Sequence, residues 1–358
     1  VRRVAILAAA LLLGACGGST ADDVEVGPDA SVDQGALDVA ADLAEATAPD
    51  TLDDDPAPDA EASPPVPLTP AECVADPACT TPILNAHRGL CGDEPENTIA
   101  AFLQCEQFVV PMFEIDLRQT SDGAVVLMHD DTVDRTTDGE DRFPGRTAVS
   151  QLTLAEFLSL VIDDARCQAA PDASPDRCHP TTFATLLART QAASVLFLDF
   201  KDGQPEAVAA DILAADAAGR VIFFDSSFER LRAYRQAVPG GLVMPRAEAI
   251  EDFAAFVAPE NDDLDLRWIH GDPFHATPEV ATLLKAHGVR LYFNVFTLSD
   301  VPFAAASAID DPAKKEPWLQ KAHAALDKAI ADGGSGFGTE FAPLGAAYLY
   351  PNGFGVAR

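Results

Sequence analysis

The sequence predicts an α/β chain folded as a (β/α)8 TIM barrel with a small insertion. Three observations carry that prediction. From residue 83 onward, short apolar runs of strand character alternate with Ala-rich helical stretches, the cadence of a parallel sheet with crossover helices. Roughly eight such repeats fill ~275 residues, close to the usual length of this barrel. No glycine-rich dinucleotide fingerprint follows the first run, which weighs against an open doubly wound sheet.

The elements follow in order. Ile83–Ala86 reads as the first strand and ends in His87-Arg88-Gly89. Between Asn97 and Phe108, Ile99, Phe102 and Leu103 recur at helical spacing, with Asn97 or Thr98 as the cap. Met112–Leu117 and Val125–Met128 are separated by Thr120-Ser121-Asp122-Gly123, a turn signal that predicts a local hairpin. Later strands are expected at Val195–Phe200, Val221–Phe224, Leu242–Met244, Trp268–Ile269, Leu291–Phe296 and near Gly336–Phe341. Helices are expected over 205–218, 229–237, 247–257, 277–287 and 316–331. Residues 141–182 break the cadence with Pro144, Gly145, Pro171, Pro175 and Pro180 and read as an insertion.

Two segments precede the barrel. Residues 1–15 carry Arg2, Arg3 and the apolar run Val4–Leu13, the layout of a secretory signal and too short to span a bilayer. Leu13-Gly14-Ala15-Cys16 resembles a bacterial lipobox. That resemblance implies cleavage before Cys16, lipidation of Cys16, and a membrane partner. The chain is then exported and lipid-anchored to the cell envelope, at the outer membrane in a two-membraned bacterium. Residues 16–70 form the anchor and a linker. The stretch 17–70 holds 14 acidic residues with no Lys, Arg or aromatic, a composition that predicts disorder. The folded domain is expected over 71–358.

With 24 Lys+Arg against 57 Asp+Glu, the net charge is -33. Such acidity excludes nucleic acid as a partner, because phosphate neutralisation needs clustered cations. Cys73, Cys79, Cys91, Cys105, Cys167 and Cys178 fall in adjacent pairs that close short loops. In an exported protein this spacing predicts the bonds Cys73–Cys79, Cys91–Cys105 and Cys167–Cys178. Zinc is the alternative, but no CxxC occurs.

Polar residues directly after apolar strands mark where a barrel places its active site. His87 and Arg88 pair a titratable ring with an anion-binding fork. Glu114 and Asp116, two apart on a strand, point to one side, where like charges call for a proton or a cation. His129 is followed by Asp130-Asp131, and Asp199 and Lys201 form another same-side pair. Together these residues are the inventory for metal-assisted attack on a phosphodiester.

The strings HRG at 87–89, PENT at 95–98, EID at 114–116, TSDG at 120–123 and HDDTVDRTTDG at 129–139 resemble the glycerophosphodiester phosphodiesterase family. PTTFATLL at 180–187, LDFK at 198–201 and NVFT at 294–297 extend the likeness. The resemblance implies cleavage of a small glycerophosphodiester substrate to glycerol 3-phosphate and an alcohol. It implies His87 and His129 as the acid–base pair, and Arg88 and Lys201 as holders of phosphate oxygens. Glu114, Asp116 and Asp199 would bind one divalent metal, Ca²⁺ or Mg²⁺. The family commonly has Glu where Asp199 stands, and often Trp where Phe296 stands. Gly338-Thr339-Glu340 replaces the family's Thr-Asp, and Glu340 is given no role. Two alternatives share these residues: a lyase-type phospholipase that leaves a cyclic phosphate from lysophospholipid or sphingolipid, and a ligand-binding lipoprotein impaired in catalysis.

Overall fold

The computed structural model describes residues 68–296 and 298–355. The expected signal, Cys16 and the acidic linker up to residue 67 lie outside the described residues. The eight parallel strands are β1 (Ile83–Ala86), β2 (Met112–Gln119), β4 (Val195–Phe200), β5 (Val221–Asp225), β6 (Leu242–Pro245), β7 (Trp268–His270), β8 (Arg290–Asn294) and β9 (Gly334–Thr339). Their order is β6-β5-β4-β2-β1-β9-β8-β7. A parallel bridge between Arg246 and His270 joins β6 to β7 and closes the barrel. The ninth strand, β3 (Val125–Leu127), pairs antiparallel with β2, Leu117 facing Leu127. This is the expected hairpin, turned at Gly123 with φ 89°, a left-handed geometry that glycine adopts without steric cost.

Two-residue alternation sorts the strand side chains. One set, including Ile83, Met112, Val195, Phe197, Ile222, Met244, Trp268 and Tyr292, fills the barrel interior. The other, including Leu84, Phe113, Leu196, Phe223, Ile269 and Phe293, packs beneath the helices. Complete burial of each large side chain contributes roughly 1.5–3 kcal/mol. The crossover helices start where hydroxyls cap them: Thr98 before Ile99–Gln107, Thr182 before Phe183–Arg189, Ser227 before Phe228–Ala237 and Thr277 before Pro278–Ala286. Each cap satisfies an otherwise unpaired N–H and contributes about 1 kcal/mol. Among the described residues no helix is long and apolar enough to cross a membrane.

The amino end of the barrel is sealed by a short helix, Pro70–Ala75, capped by Thr69. Cys73 and Val74 pack onto the interior cluster. Trp268 Nε1 donates to the Val74 carbonyl (2.9 Å), and buried Arg290 donates to the carbonyls of Cys73 (3.1 Å) and Thr81 (2.6 Å). The Arg290 guanidinium lies 4.2 Å above the Trp268 ring.

The insertion is built of short helical turns between Gly139 and Cys178. Part of it shares a small core with the β3 hairpin, including Val126, Met128, Leu152, Phe157 and Leu160. Arg177 ties it to the loop after β1, pairing with Glu94 and donating to the Asp93 carbonyl (3.1 Å). The three expected disulfides, Cys73–Cys79, Cys91–Cys105 and Cys167–Cys178, are formed.

Candidate active site

At the carboxyl ends of the strands the inward-facing positions change from apolar to polar. β2 continues from Met112 to Glu114 and Asp116, and β4 from Phe197 to Asp199. Asp116 and Asp199 are register partners on neighbouring strands. As a result, Glu114, Asp116 and Asp199 each bring a carboxylate oxygen within 4.8 Å of the others. Asp199, although shorter than Glu, reaches the cluster.

The loop after β1 is shaped around this cluster. Arg88 and Asn97 both have left-handed backbones, φ 53° and 54°, a strained geometry for residues with side chains. The bend aims the Arg88 N–H at Glu114 Oε2 (2.8 Å), and the Arg88 carbonyl accepts from Asn97 N–H (3.0 Å). The Asn97 amide then donates to Asp116 Oδ2 (2.9 Å). The Arg88 side chain spans Glu96 (3.1 Å) and Asp116 (3.5 Å). Lys201 Nζ lies 3.0 Å from Asp116 Oδ1 and also pairs with Asp199.

These neighbours split the two β2 carboxyls. Burial, reinforced by the charges of Asp116 and Asp199, raises Glu114 well above the usual carboxylate range. Burial pushes Asp116 the same way, but Lys201, the Asn97 amide and Arg88 outweigh it and hold Asp116 below its ordinary value. Burial would lower Lys201, yet Asp116 and Asp199 keep it raised. Three converging acidic oxygens, one of them poorly tolerated as an anion, fit a hard divalent cation.

His129 leaves β3 beside the same strand. Its carbonyl accepts from Arg118 Nη2 (2.8 Å), and Arg118 is in turn held by Asp202 (2.6 Å). Its Nδ1 is 2.6 Å from Asp130 Oδ1. A carboxylate only accepts, so this contact places the proton on Nδ1 and leaves Nε2 as the basic nitrogen. Arg135 grips the other Asp130 oxygen (2.5 Å) and also binds Glu96 (2.6 Å). The Arg135 bond, opposed by burial and aided by His129, lowers Asp130 to about 2. Through Glu96, one chain of charges runs from Arg88 to His129.

His87 stands at the end of β1, against the Phe296 ring at 5.0 Å. Its Nδ1 is 3.7 Å from Glu340 Oε1. Buried Asp300 accepts from the Glu340 N–H (2.8 Å) and the Thr339 hydroxyl, orienting that segment. Burial raises Asp300 to about 6. The structure thus gathers Glu114, Asp116, Asp199, Arg88 and Lys201 into one contact network, with His87 and His129 on the segments flanking β2. Asn97 is expected from the sequence only as a possible helix cap, a place Thr98 takes instead, and Asp130, Glu340 and Asp300 carry no expected role. Asn97 and Asp130 lie inside the quoted strings. The Asp300–Glu340 contact spans 40 residues and has no local signal.

Comparison with known proteins agrees with this geometry. Residues 87–240 match the model of the Glycerophosphoryl diester phosphodiesterase family. Glycerophosphodiester phosphodiesterase 1 of Rattus norvegicus is 56% identical over 57 residues, which are 16% of this chain and 17% of that relative's length. YhdW of Bacillus subtilis is 31% identical over 160 residues, covering 43% of this chain and 61% of that one. An Oleispira antarctica phosphodiesterase, solved with the product sn-glycerol-3-phosphate, shares the fold with a TM-score of 0.53 at 19% identity, covering 76% of this chain and 98% of that one. The HRG, EID and HDD segments at the polar barrel mouth all fall within residues 87–240, the part of the chain that is similar to the glycerophosphoryl diester phosphodiesterase family, and the chain spans 17% and 61% of the length of those two sequence relatives.

Proposed function

We propose that this chain hydrolyses glycerophosphodiesters to glycerol 3-phosphate and an alcohol, using one divalent cation and two histidines. The observation that carries the reading is the convergence of Glu114, Asp116 and Asp199 within 4.8 Å, with Arg88 and Lys201 packed on the same oxygens. The product-bound Oleispira relative supports the substrate class. When bound, Ca²⁺ or Mg²⁺ supplies charge stabilisation at a phosphoryl oxygen.

The chain's own residues do the rest. Arg88 and Lys201 hold phosphate oxygens as charge builds on them. His129, oriented by Asp130, takes the proton of the substrate's glycerol 2-hydroxyl as that oxygen attacks phosphorus. His87, facing Glu340, donates a proton to the leaving alcohol. The resulting cyclic phosphate is opened by water with the histidine roles reversed.

Incubating the full chain with glycerophosphoglycerol and glycerophosphocholine, with EDTA or with added Ca²⁺ or Mg²⁺, tests this reading. Metal-dependent release of glycerol 3-phosphate is expected. Accumulation of a stable cyclic phosphate by phosphorus NMR would overturn hydrolysis in favour of a lyase. Lipid attachment at Cys16 belongs to the same proposal. Palmitate labelling that survives Cys16→Ala would reject it.

A further inference from the structure

The metal-competent residues occupy only part of the barrel mouth, on β2 and β4. The inward positions at the ends of β5, β6 and β7 are Phe224, Arg246 and His270. His270 is only 4% exposed, and its Nδ1 has no hydrogen-bond partner. Buried polar atoms are rarely left unpaired, and one at a site calls for a ligand or water. The ring sits between Phe224 and Tyr292, each at a centroid distance of 5.1 Å. The Tyr292 hydroxyl accepts from Asn85, the inward residue one step below His87. His270 therefore belongs to the floor of the same mouth. Arg246, bridged to His270 across the barrel closure, is held by Glu248 (2.8 Å) and faces Asp272 (3.8 Å).

We propose that Arg246 and His270, walled by Phe224, form a recognition subsite for a neutral polyol as the alcohol portion of the diester. This deepens the phosphodiesterase reading and rests on it. Burial, with the charges of Arg246 and His275, lowers His270 to about 3, so its ring is neutral at physiological pH. A neutral imidazole offers one donor and one acceptor, and a guanidinium offers several donors. Hydroxyl groups satisfy both. A trimethylammonium group carries no hydrogen-bonding atom and satisfies neither. Glu248 and Asp272 already neutralise the charge of Arg246, so a second anion gains little there.

The test compares glycerophosphoglycerol with glycerophosphocholine on the full chain and on His270→Phe and Arg246→Gln. Wild type should favour the polyol diester. Each variant should raise KM for glycerophosphoglycerol about 10-fold, the effect of losing one hydrogen bond, and leave glycerophosphocholine within about twofold. His270→Gln, which keeps a neutral donor and acceptor, should restore most of the affinity. Equal losses on both diesters, or no change, would overturn the subsite. If wild type cleaves neither diester, the catalytic reading fails. Calorimetric binding of glycerophosphoglycerol then decides the subsite alone. Weaker binding by the variants supports it, and unchanged or absent binding rejects it. Should His270→Phe not fold, the half-exposed Arg246→Gln variant carries the comparison.

Discussion

His129 Nδ1 lies 2.6 Å from Asp130 Oδ1, and the opposite oxygen of that carboxylate is clamped by Arg135 at 2.5 Å. The ring is thus fixed both in orientation and in tautomer by its own sequence neighbour. Asp130→Asn keeps the shape but allows the amide to present its NH2 to Nδ1. The expected result is a fall in kcat of roughly 100-fold, the low end for acid–base groups, with KM nearly unchanged. Steady-state kinetics across pH would check it, since the acidic limb of the profile, set by the base His129, should move as well.

Glu114 is held above its usual range by burial and by two neighbouring carboxylates. A divalent cation removes that repulsion, so Ca²⁺ or Mg²⁺ should raise the melting temperature and release protons. At 100 times Kd the gain is ~2.7 kcal/mol. Glu114→Gln should abolish most of the metal-dependent shift. A melting curve that ignores both cations would contradict the carboxylate cluster as a metal site.

Asp300 has its folded pKa raised to about 6 from an ordinary value of 3.8. The sign follows from linkage: a carboxyl that holds its proton more tightly when folded favours the fold below the ordinary pKa. That contribution is lost as pH rises from about 4 through 6. Compared with Asp300→Asn, wild type should lose on the order of 2–3 kcal/mol across that window. Denaturant titrations of both proteins at pH 4, 5, 6 and 7 measure the difference directly.

The Cys91–Cys105 bond joins residues 14 apart and ties the loop that carries Arg88, Glu96 and Asn97 to the helix behind it. Replacing both cysteines with Ser should cost ~3 kcal/mol, the loop-closure scale for this length. With all three bonds formed, thiol titration of the denatured, unreduced chain should find at most Cys16. Two or more free thiols would contradict the pairing.

The parts of the molecule legible in sequence are those whose cause is local. Ile83–Ala86 and Val195–Phe200 read as strands because each is a short apolar run ending in charge. The β2–β3 hairpin reads from its Asp-Gly turn. The helix Pro70–Ala75 is too short to show a period, and its residues adjoin an acidic, aromatic-free stretch. Its one local mark is the capping box of Thr69 and Glu72. Glu114, Asp116 and Lys201 were visible as same-side pairs. Glu340 was not, because its meaning comes from His87, far away in sequence, and from Asp300, which fixes its backbone. His270 reads as the end of an apolar strand until the barrel closes and its Nδ1 is seen to lack a partner.

The helix Pro70–Ala75 has a consequence for traffic. Bonded to Trp268 and Arg290, it stoppers the pole of the barrel where the strands begin. The polar site lies at the opposite pole, among His87, Asp116, Asp199 and His270. Under the proposed function, substrate and cation approach from that pole, and the described chain begins at the other, with this helix.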